Sequence, residues 1–355
     1  MARIDALFDE LLARGGSDLH LGIGYPPLIR RRGELEALRE EPIDGAEMEA
    51  LLFEIIGPAD RDHIERELDL DFAYGYEDKS RFRASYFHKT TGLGAVFRTI
   101  PSRVLTLDEL GCPDVIRRIC ERRAGLVLVT GPTGSGKSTT LAAMIDHINR
   151  SRACHVLTIE DPVEFVHEPV RAHLTHREIG HHAGSFAAAI RSAGREDADV
   201  ILIGELRTNE TMKLALQIAS FGVLVFGTVH TNSAPATIDR IINAFPAEEQ
   251  PQVRGMLAES LVAVVAQQLL KAADGAGRVA AHEILLGSAA LSAMIREGKM
   301  TQVPTLMQAG GAVGMQTMDS ALERLVQRGV VSPDDALEKA IDKEAFQKLV
   351  SRRTG

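Results

Sequence analysis

Three cysteines, no tryptophan and 5% aromatic residues are what this 355-residue chain has little of. Cys112, Cys120 and Cys154 show no C-x-x-C spacing, which excludes a disulfide framework and a cysteine zinc module and leaves them as packed or loop thiols. No apolar run approaches the roughly 18 residues that span a bilayer. The opening Met1-Ala-Arg-Ile-Asp-Ala-Leu lacks an uninterrupted apolar h-region, so neither an integral membrane segment nor a leader is expected and the chain reads as cytoplasmic. Positive charge is short as well: 40 Lys and Arg against 49 Asp and Glu give a net charge of −9, which argues against a broad nucleic-acid surface. There is no stripe of interleaved aromatic and basic residues on which single-stranded nucleic acid would stack. What remains, 45% hydrophobic and 25% charged residues without a low-complexity tract, reads as a globular chain of more than one domain.

The pattern changes along the chain. Ile4, Leu7, Phe8, Leu11 and Leu12 recur at helical spacing before Gly15-Gly16. Short alternating segments at 18–21, 26–30, 69–72, 81–86 and 95–98 predict strands of a small α+β domain, with one helix near Gly45 to Ile56 and an end at Pro101. From Leu126 apolar runs alternate with helix-length segments, the signature of a parallel sheet with crossover helices. After about Gly287 only helical patterns remain, among them Met318 to Arg328 and a helix opened by Ser332-Pro-Asp-Asp335. The expected division is 1–100, a linker over 101–112, an α/β core over 113–287 and a helical appendage over 288–355.

The most specific stretch is Gly131-Pro-Thr-Gly-Ser-Gly-Lys-Ser138, which places G-x-x-x-x-G-K-[ST] between the apolar run 126–130 and the helical run from Thr139. Gly131, Pro132, Thr133, Gly134, Ser135, Gly136, Lys137, Ser138 and Thr139 therefore read as a phosphate cradle for ATP. The glycines aim backbone N–H groups inward, Lys137 reaches the β- and γ-phosphates, and Ser138 holds Mg²⁺.

In open parallel sheets ligands sit beyond the carboxyl ends of the strands. Three further apolar runs end in polar groups there. The run 155–159 ends in Glu160-Asp161-Pro-Val-Glu164, where Pro162 blocks a helix; Glu164 is read as the base that deprotonates the attacking water, with Glu160 and Asp161 acting through Mg²⁺ or its waters. The run 200–204 ends in Glu205, an acid that places metal and water. The run 223–228 leads into Val229-His230-Thr231-Asn232, where His230 senses the γ-phosphate or links to a neighbouring subunit. The pair His181-His182 is not read as a metal site, because adjacent side chains seldom point at one ion.

Together these residues resemble the secretion ATPase superfamily, and within it the type IV pilus retraction ATPases. Gly131 to Thr140 is similar to the family's Walker A, 158–167 to its Asp box, Ile203-Gly-Glu-Leu-Arg207 to its Walker B and 222–232 to its His box, while 17–21, 81–84 and 96–101 resemble its N-terminal domain. The resemblance implies a PAS-like N-terminal domain, a RecA-like core and a ring of six identical subunits with ATP at the junctions. It also implies that Arg81, Arg83 and Arg98 close over the nucleotide and that Arg207 belongs to its binding set. Expected partners are an inner-membrane pilus platform protein, at whose cytoplasmic base the ring would sit, and a paralogous pilus ATPase. Thr208, Val223, Gly194, Ala198, Ser292 and Ala293 depart from the family's usual residues. Pilus extension or secretion, a weakly hydrolysing nucleotide-gated regulator and a nucleic-acid translocase are the competing functions.

Overall fold

The computed structural model describes residues 2–31, 33–77, 79–100, 103–275 and 277–351. The domain end expected at Pro101 and the last residues of the helical appendage, 352–355, lie outside the described residues. The chain forms two compact units, Met1–Arg103 with Asp161–Val166, and Val104–Glu160 with His167–Gly355.

The first unit runs α1 (Asp5–Ala13), β1 (Asp18–Gly22), β2 (Leu28–Arg31), β3 (Glu34–Ala37), α2 (Gly45–Phe53), α3 (Pro58–Glu67), β4 (Asp69–Tyr76), β5 (Ser80–Lys89) and β6 (Gly92–Ile100). The strands form an antiparallel sheet of order β3-β2-β1-β6-β5-β4. Strand β5 alternates buried and half-buried along most of its length, so Phe82, Ala84 and Tyr86 enter the core with Phe8, Phe72 and Phe97 while Arg81 and Arg83 take the other face. The helix expected near 45–56 is α2, and a second helix that was not expected follows it. Asp44 caps α2 by accepting from the Glu47 N–H, and α3 follows, anchored on the buried Ile64; it escapes a periodicity reading because most of its residues are polar and exposed.

The second unit continues with α4 (Asp114–Cys120), β7 (Gly125–Thr130), α5 (Lys137–Ser151), β8 (His155–Glu160), β9 (His173–Glu178), α6 (Phe186–Ala193), β10 (Val200–Ile203), α7 (Asn209–Ser220), β11 (Leu224–Val229), α8 (Ala234–Asn243), α9 (Gln250–Ser260), β12 (Leu261–Lys271), β13 (Arg278–Leu286), α10 (Ala289–Glu297), α11 (Val303–Ala309), α12 (Met318–Gln327), α13 (Pro333–Lys339) and α14 (Lys343–Ser351). Its sheet has the order β13-β12-β7-β11-β10-β8-β9. The sheet is mixed where a parallel one was expected: β7 pairs in parallel with β12 and β11, β10 with β11 and β8, and β8 with β9, but β12 and β13 form an antiparallel pair at one edge. Short connection 272–277 leaves no chain for a crossover helix, so the next strand must return antiparallel.

Strands β7, β10 and β11 are buried at every residue, which explains their unbroken apolar runs. Leu126 and Leu128 pack on one face with Leu157, Ile201 and Ile238, whereas Val127 and Val129 pack on the other with Met144, Ile148 and Phe226. Helices thus cover both faces and only the strand ends remain for chemistry. Cys112, Cys120 and Cys154 are free thiols; burial raises the pKa of each, to about 12 at Cys112, so they are packing groups at neutral pH. Met318, Leu322, Ala336 and Phe346 of the C-terminal helices, with Val331 between α12 and α13, close a small separate core over Leu270 and Ala281.

Candidate functional site

In the second unit, β7 carries the chain through a fully buried run to Thr130, after which the glycine loop turns outward. Gly131 has φ 143°, and a Cβ there would strike the Gln267 carbonyl and the Ser135 hydroxyl. Gly136 precedes α5 at φ 85°, where a Cβ would meet Gln267 Nε2 at 2.8 Å. Both positions therefore demand glycine, for backbone angle and for space. Helix α5 starts at Lys137 with no side-chain cap and no acid in its first turn, so its leading N–H groups and dipole are left for an external anion. Lys137 Nζ donates to Gly131 O at 2.8 Å and Pro132 O at 3.0 Å, which folds the ammonium over the loop. Pro132, Thr133, Gly134 and Ser138 are exposed and Thr139 is half-buried, while Ser135 is buried with its Oγ unpartnered.

Gln267 of β12 braces this loop and is the residue that sequence reasoning missed. Only 2% exposed, it donates from Nε2 to Ser135 O at 2.7 Å and accepts from Thr140 Oγ1 at 2.8 Å. Because the C=O and N–H of a planar trans peptide point oppositely, holding Ser135 O against Gln267 turns the Gly136 N–H the other way, into the cradle. The available signal was a polar pair, Gln267-Gln268, inside an otherwise apolar strand.

The remaining strand ends are laced together. Thr130 Oγ1 accepts from the Thr231 N–H at 3.0 Å and lies 2.8 Å from Val229 O, joining the loop strand to the His230 segment. Thr228 donates to Gly204 O. Glu205, its side chain 21% exposed, takes Arg207 Nε at 2.7 Å and His230 Nε2 at 3.2 Å on the same Oε1. Glu160, half-buried, ends β8 alongside Gly204, where a Cβ would lie 3.3 Å from the Glu160 Cα. Thr208, where the family usually has Asp, caps α7 through a reciprocal pair with Thr211, so the departure preserves the cap. Ser292 donates to Ala258 O at 2.6 Å on the wall of a cavity of about 390 Å³, and Ala293 is exposed. His181 and His182 both turn to Glu178, as a weak 3.6 Å ion pair and as the acceptor of its N–H at 3.0 Å.

In the first unit the arginines of β5 face the segment Asp161–Val166. Arg81 Nη2 donates to Val163 O at 3.1 Å, and Arg83 Nη1 lies 4.0 Å from Glu164 Oε1. Val163 and Phe165 are buried, Asp161 is exposed and the Glu164 side chain is 30% exposed. Arg98 lies opposite Arg83 on β6 but bonds elsewhere: its Nε donates to Asp18 Oδ1 at 2.8 Å. Burial works to raise the Asp18 pKa, but hydrogen bonds from Ser17 and Arg98 and the arginine charge outweigh it and hold the carboxyl below its usual range.

The uncapped α5 terminus, the glycines that admit no Cβ and the orphaned Ser135 hydroxyl fit a nucleotide phosphate group, and the exposed Ser138 hydroxyl on the same turn is the hard oxygen donor suited to Mg²⁺. A mainly parallel sheet covered on both faces, with this loop after β7 and acids after β8 and β10, defines a P-loop ATPase fold with a RecA-like core. Residues 65–352 match the family described as type II/IV secretion system protein, and the chain belongs to that family. It is 49% identical over 341 residues to the "Type IV pilus retractation ATPase PilT" of Pseudomonas aeruginosa, covering 95% of this chain and 99% of that protein. It is 48% identical over 320 residues to a "Twitching motility protein" of Neisseria gonorrhoeae, covering 90% and 86%. The crystal structure of the pilus retraction motor PilT with bound ADP superposes with a TM-score of 0.90 at 40% identity, covering 98% of this chain and all of that one. Among the described residues no helix is long and apolar enough to cross a membrane.

Proposed function

We propose that this chain is a Mg²⁺-dependent ATP hydrolase that powers type IV pilus retraction. The observation that carries the chemistry is the uncapped N-terminus of α5 closed by Gly131, Gly136 and Lys137; the length and identity of the match to a retraction ATPase support the biological role. Backbone N–H groups of 134–138 bind the phosphates, and Lys137 exchanges the Gly131 and Pro132 carbonyls for β- and γ-phosphate oxygens. Ser138, with Glu160, Asp161 and Glu205, would hold Mg²⁺, which when bound would neutralise charge on those oxygens. Glu164 accepts the proton of the attacking water, Glu205 orients that water, and His230, bonded to Glu205, reports the presence of the γ-phosphate. Arg81, Arg83 and Arg98 neutralise transition-state charge with Arg207. The working form is a homohexamer at the cytoplasmic face of the inner membrane, acting on a pilus platform protein and sharing the machine with a paralogous ATPase.

Steady-state ATP hydrolysis with and without Mg²⁺ tests the reading. Wild type is expected to turn over only with Mg²⁺, and Lys137→Ala and Glu164→Gln are each expected to lose about 10²-fold or more in kcat. Nucleotide binding without turnover by the wild type sinks the hydrolase reading.

A further inference from the structure

The acidic segment Asp161–Val166 leaves the second unit after Glu160 and returns to it at His167. One side chain ties both stems of this excursion, and it belongs to none of the motifs. His176, on β9, lies with Nδ1 2.8 Å from Thr158 Oγ1, two residues before Glu160, and with Nε2 accepting from the His167 N–H at 3.4 Å. An imidazole nitrogen that accepts carries no proton, so the neutral ring holds its proton on Nδ1 and donates it to Thr158. Thr158 is 1% exposed and His167 6%, so the partner ends of both contacts are buried while His176 itself is half-buried, and the His167 ring stacks on the His176 ring at 5.9 Å between centroids and 16° between planes.

We propose that His176 is a positioning residue for ATP hydrolysis, clamping Thr158 to His167 and thereby fixing the root of the strap that carries Asp161 and Glu164. The role rests on the reading of Glu164 as the proton acceptor. Strand pairing fixes β8 as far as Glu160, and β9 lies beside it in parallel register, Thr158 opposite His176. The return stem at His167 lies outside the strands and has no ladder of its own. Farther along the stem Asn149 donates to Glu168 O at 2.8 Å and accepts from the Val170 N–H at 3.0 Å; at His167, next to the strap itself, the tie comes from His176, on a strand whose own place is set by six paired residues. A strap loose at one root carries its carboxylate through a wider range of positions, and misplacement by about 1 Å costs on the order of 10²-fold in rate while leaving the nucleotide's own binding groups untouched. The effect therefore belongs in kcat and not in KM.

The experiment uses the full chain and two readouts. Hydrogen–deuterium exchange of the amides from 161 to 168 is compared in wild type, His176→Leu, His176→Gln and Thr158→Val, alongside kcat and KM for Mg-ATP. Expected are exchange at least about tenfold faster at the His167 amide in His176→Leu, a kcat lower by about tenfold or more, and a KM within about twofold of wild type. In His176→Gln the amide oxygen reaches the place of Nε2 and restores the acceptor, so protection and kcat return to within about threefold. Thr158→Val, which keeps the imidazole and the side-chain shape, loosens the strap if His176→Leu does not fold. Unchanged protection of His167 in both variants overturns the clamp whatever the enzyme does. Faster exchange with unchanged kcat overturns the positioning role alone, and loss of both with equal loss in the Gln variant reduces His176 to a packing residue. Absence of turnover in wild type would sink the hydrolase reading and leave the exchange experiment to decide the clamp.

Discussion

Gln267 shows how much of the phosphate cradle is set by a side chain far from it in sequence. Its amide makes two buried hydrogen bonds, to Ser135 O and Thr140 Oγ1. Replacing it by Leu keeps the volume but leaves a buried carbonyl and a buried hydroxyl unpaired, at about 1–3 kcal/mol for each. The peptide linking Ser135 to Gly136 is then free to turn, and its N–H no longer points steadily into the cradle. Gln267→Leu is expected to bind ADP about tenfold more weakly and to lose about 2 kcal/mol of stability in urea, while Gln267→Glu, which has no N–H to give, is expected to bind more weakly still, because it turns a negative charge toward the phosphates. Calorimetric titration with ADP checks both, and wild-type affinity in the Leu variant removes the bracing role. The loop itself was legible because its chemistry is local, nine consecutive residues that run from the end of a strand into the first turn of a helix. Gln267 was not, because its place beside the loop comes from β12 pairing with β7 across more than a hundred residues, a register that no spacing in the sequence reveals. The same holds for His176, whose significance depends on β9 lying beside β8.

At the scale of elements, legibility followed burial. The runs at β7, β10 and β11 announced themselves because both faces are covered, and α12 and α13 because a capping Thr317 or Ser332 precedes each. Strand β9, with the sequence His-Leu-Thr-His-Arg-Glu, is mostly half-buried at the sheet edge and gave no alternation to read. Strand β13 carries an acid-sensitive arrangement. His282, 2% exposed with Nε2 unpartnered, has its pKa lowered by burial to about 4, against 6.5 for the free group. The next residue, Glu283, accepts from the Ala234 and Met318 N–H groups at 2.6 and 3.2 Å, so one carboxylate caps α8, which follows His230, and α12. Burial raises the Glu283 pKa, which favours the folded state as pH falls and opposes His282 in sign. For His282 the unfolded chain binds the proton and the folded chain does not between pH 6.5 and about 4, so its contribution is intact above 6.5 and is lost on acidification. Between pH 7.5 and 5.0 the loss is about 2 kcal/mol from this group. His282→Gln is expected to shrink the pH dependence of urea unfolding by that amount. The four tyrosines all lie in the first unit and there is no tryptophan, so far-UV circular dichroism is the probe that sees the second. An unchanged pH dependence in the variant would assign the acid sensitivity elsewhere.

At the scale of the whole molecule the division of labour between the units predicts how chains should complement one another. Arg81 and Arg83 are occupied with the strap that carries Glu164 of their own chain, whereas the Arg98 side chain is 69% exposed and, among the described residues, held at its Nε by Asp18. That leaves most of its guanidinium fork available to a neighbour's nucleotide in the proposed ring, the arrangement in which an arginine supplied from another subunit is worth about 10³-fold in rate. Arg98→Ala chains keep an intact phosphate loop, strap and Glu205, and Lys137→Ala chains keep an intact Arg98. Each variant alone is expected to be nearly silent. Mixed in equal amounts and allowed to exchange subunits, they form rings in which a junction works when its loop comes from the first kind and its arginine from the second. Random assembly of a head-to-tail ring makes about one quarter of the junctions so composed. Recovered hydrolysis near a quarter of the wild-type rate, rising with total protein as rings form, is the expected result. If Arg98 instead serves the nucleotide of its own chain, every mixed junction still carries one lesion and the mixture stays silent at every concentration, which would confine the catalytic constellation to a single chain and remove the reason for a ring in the chemical step.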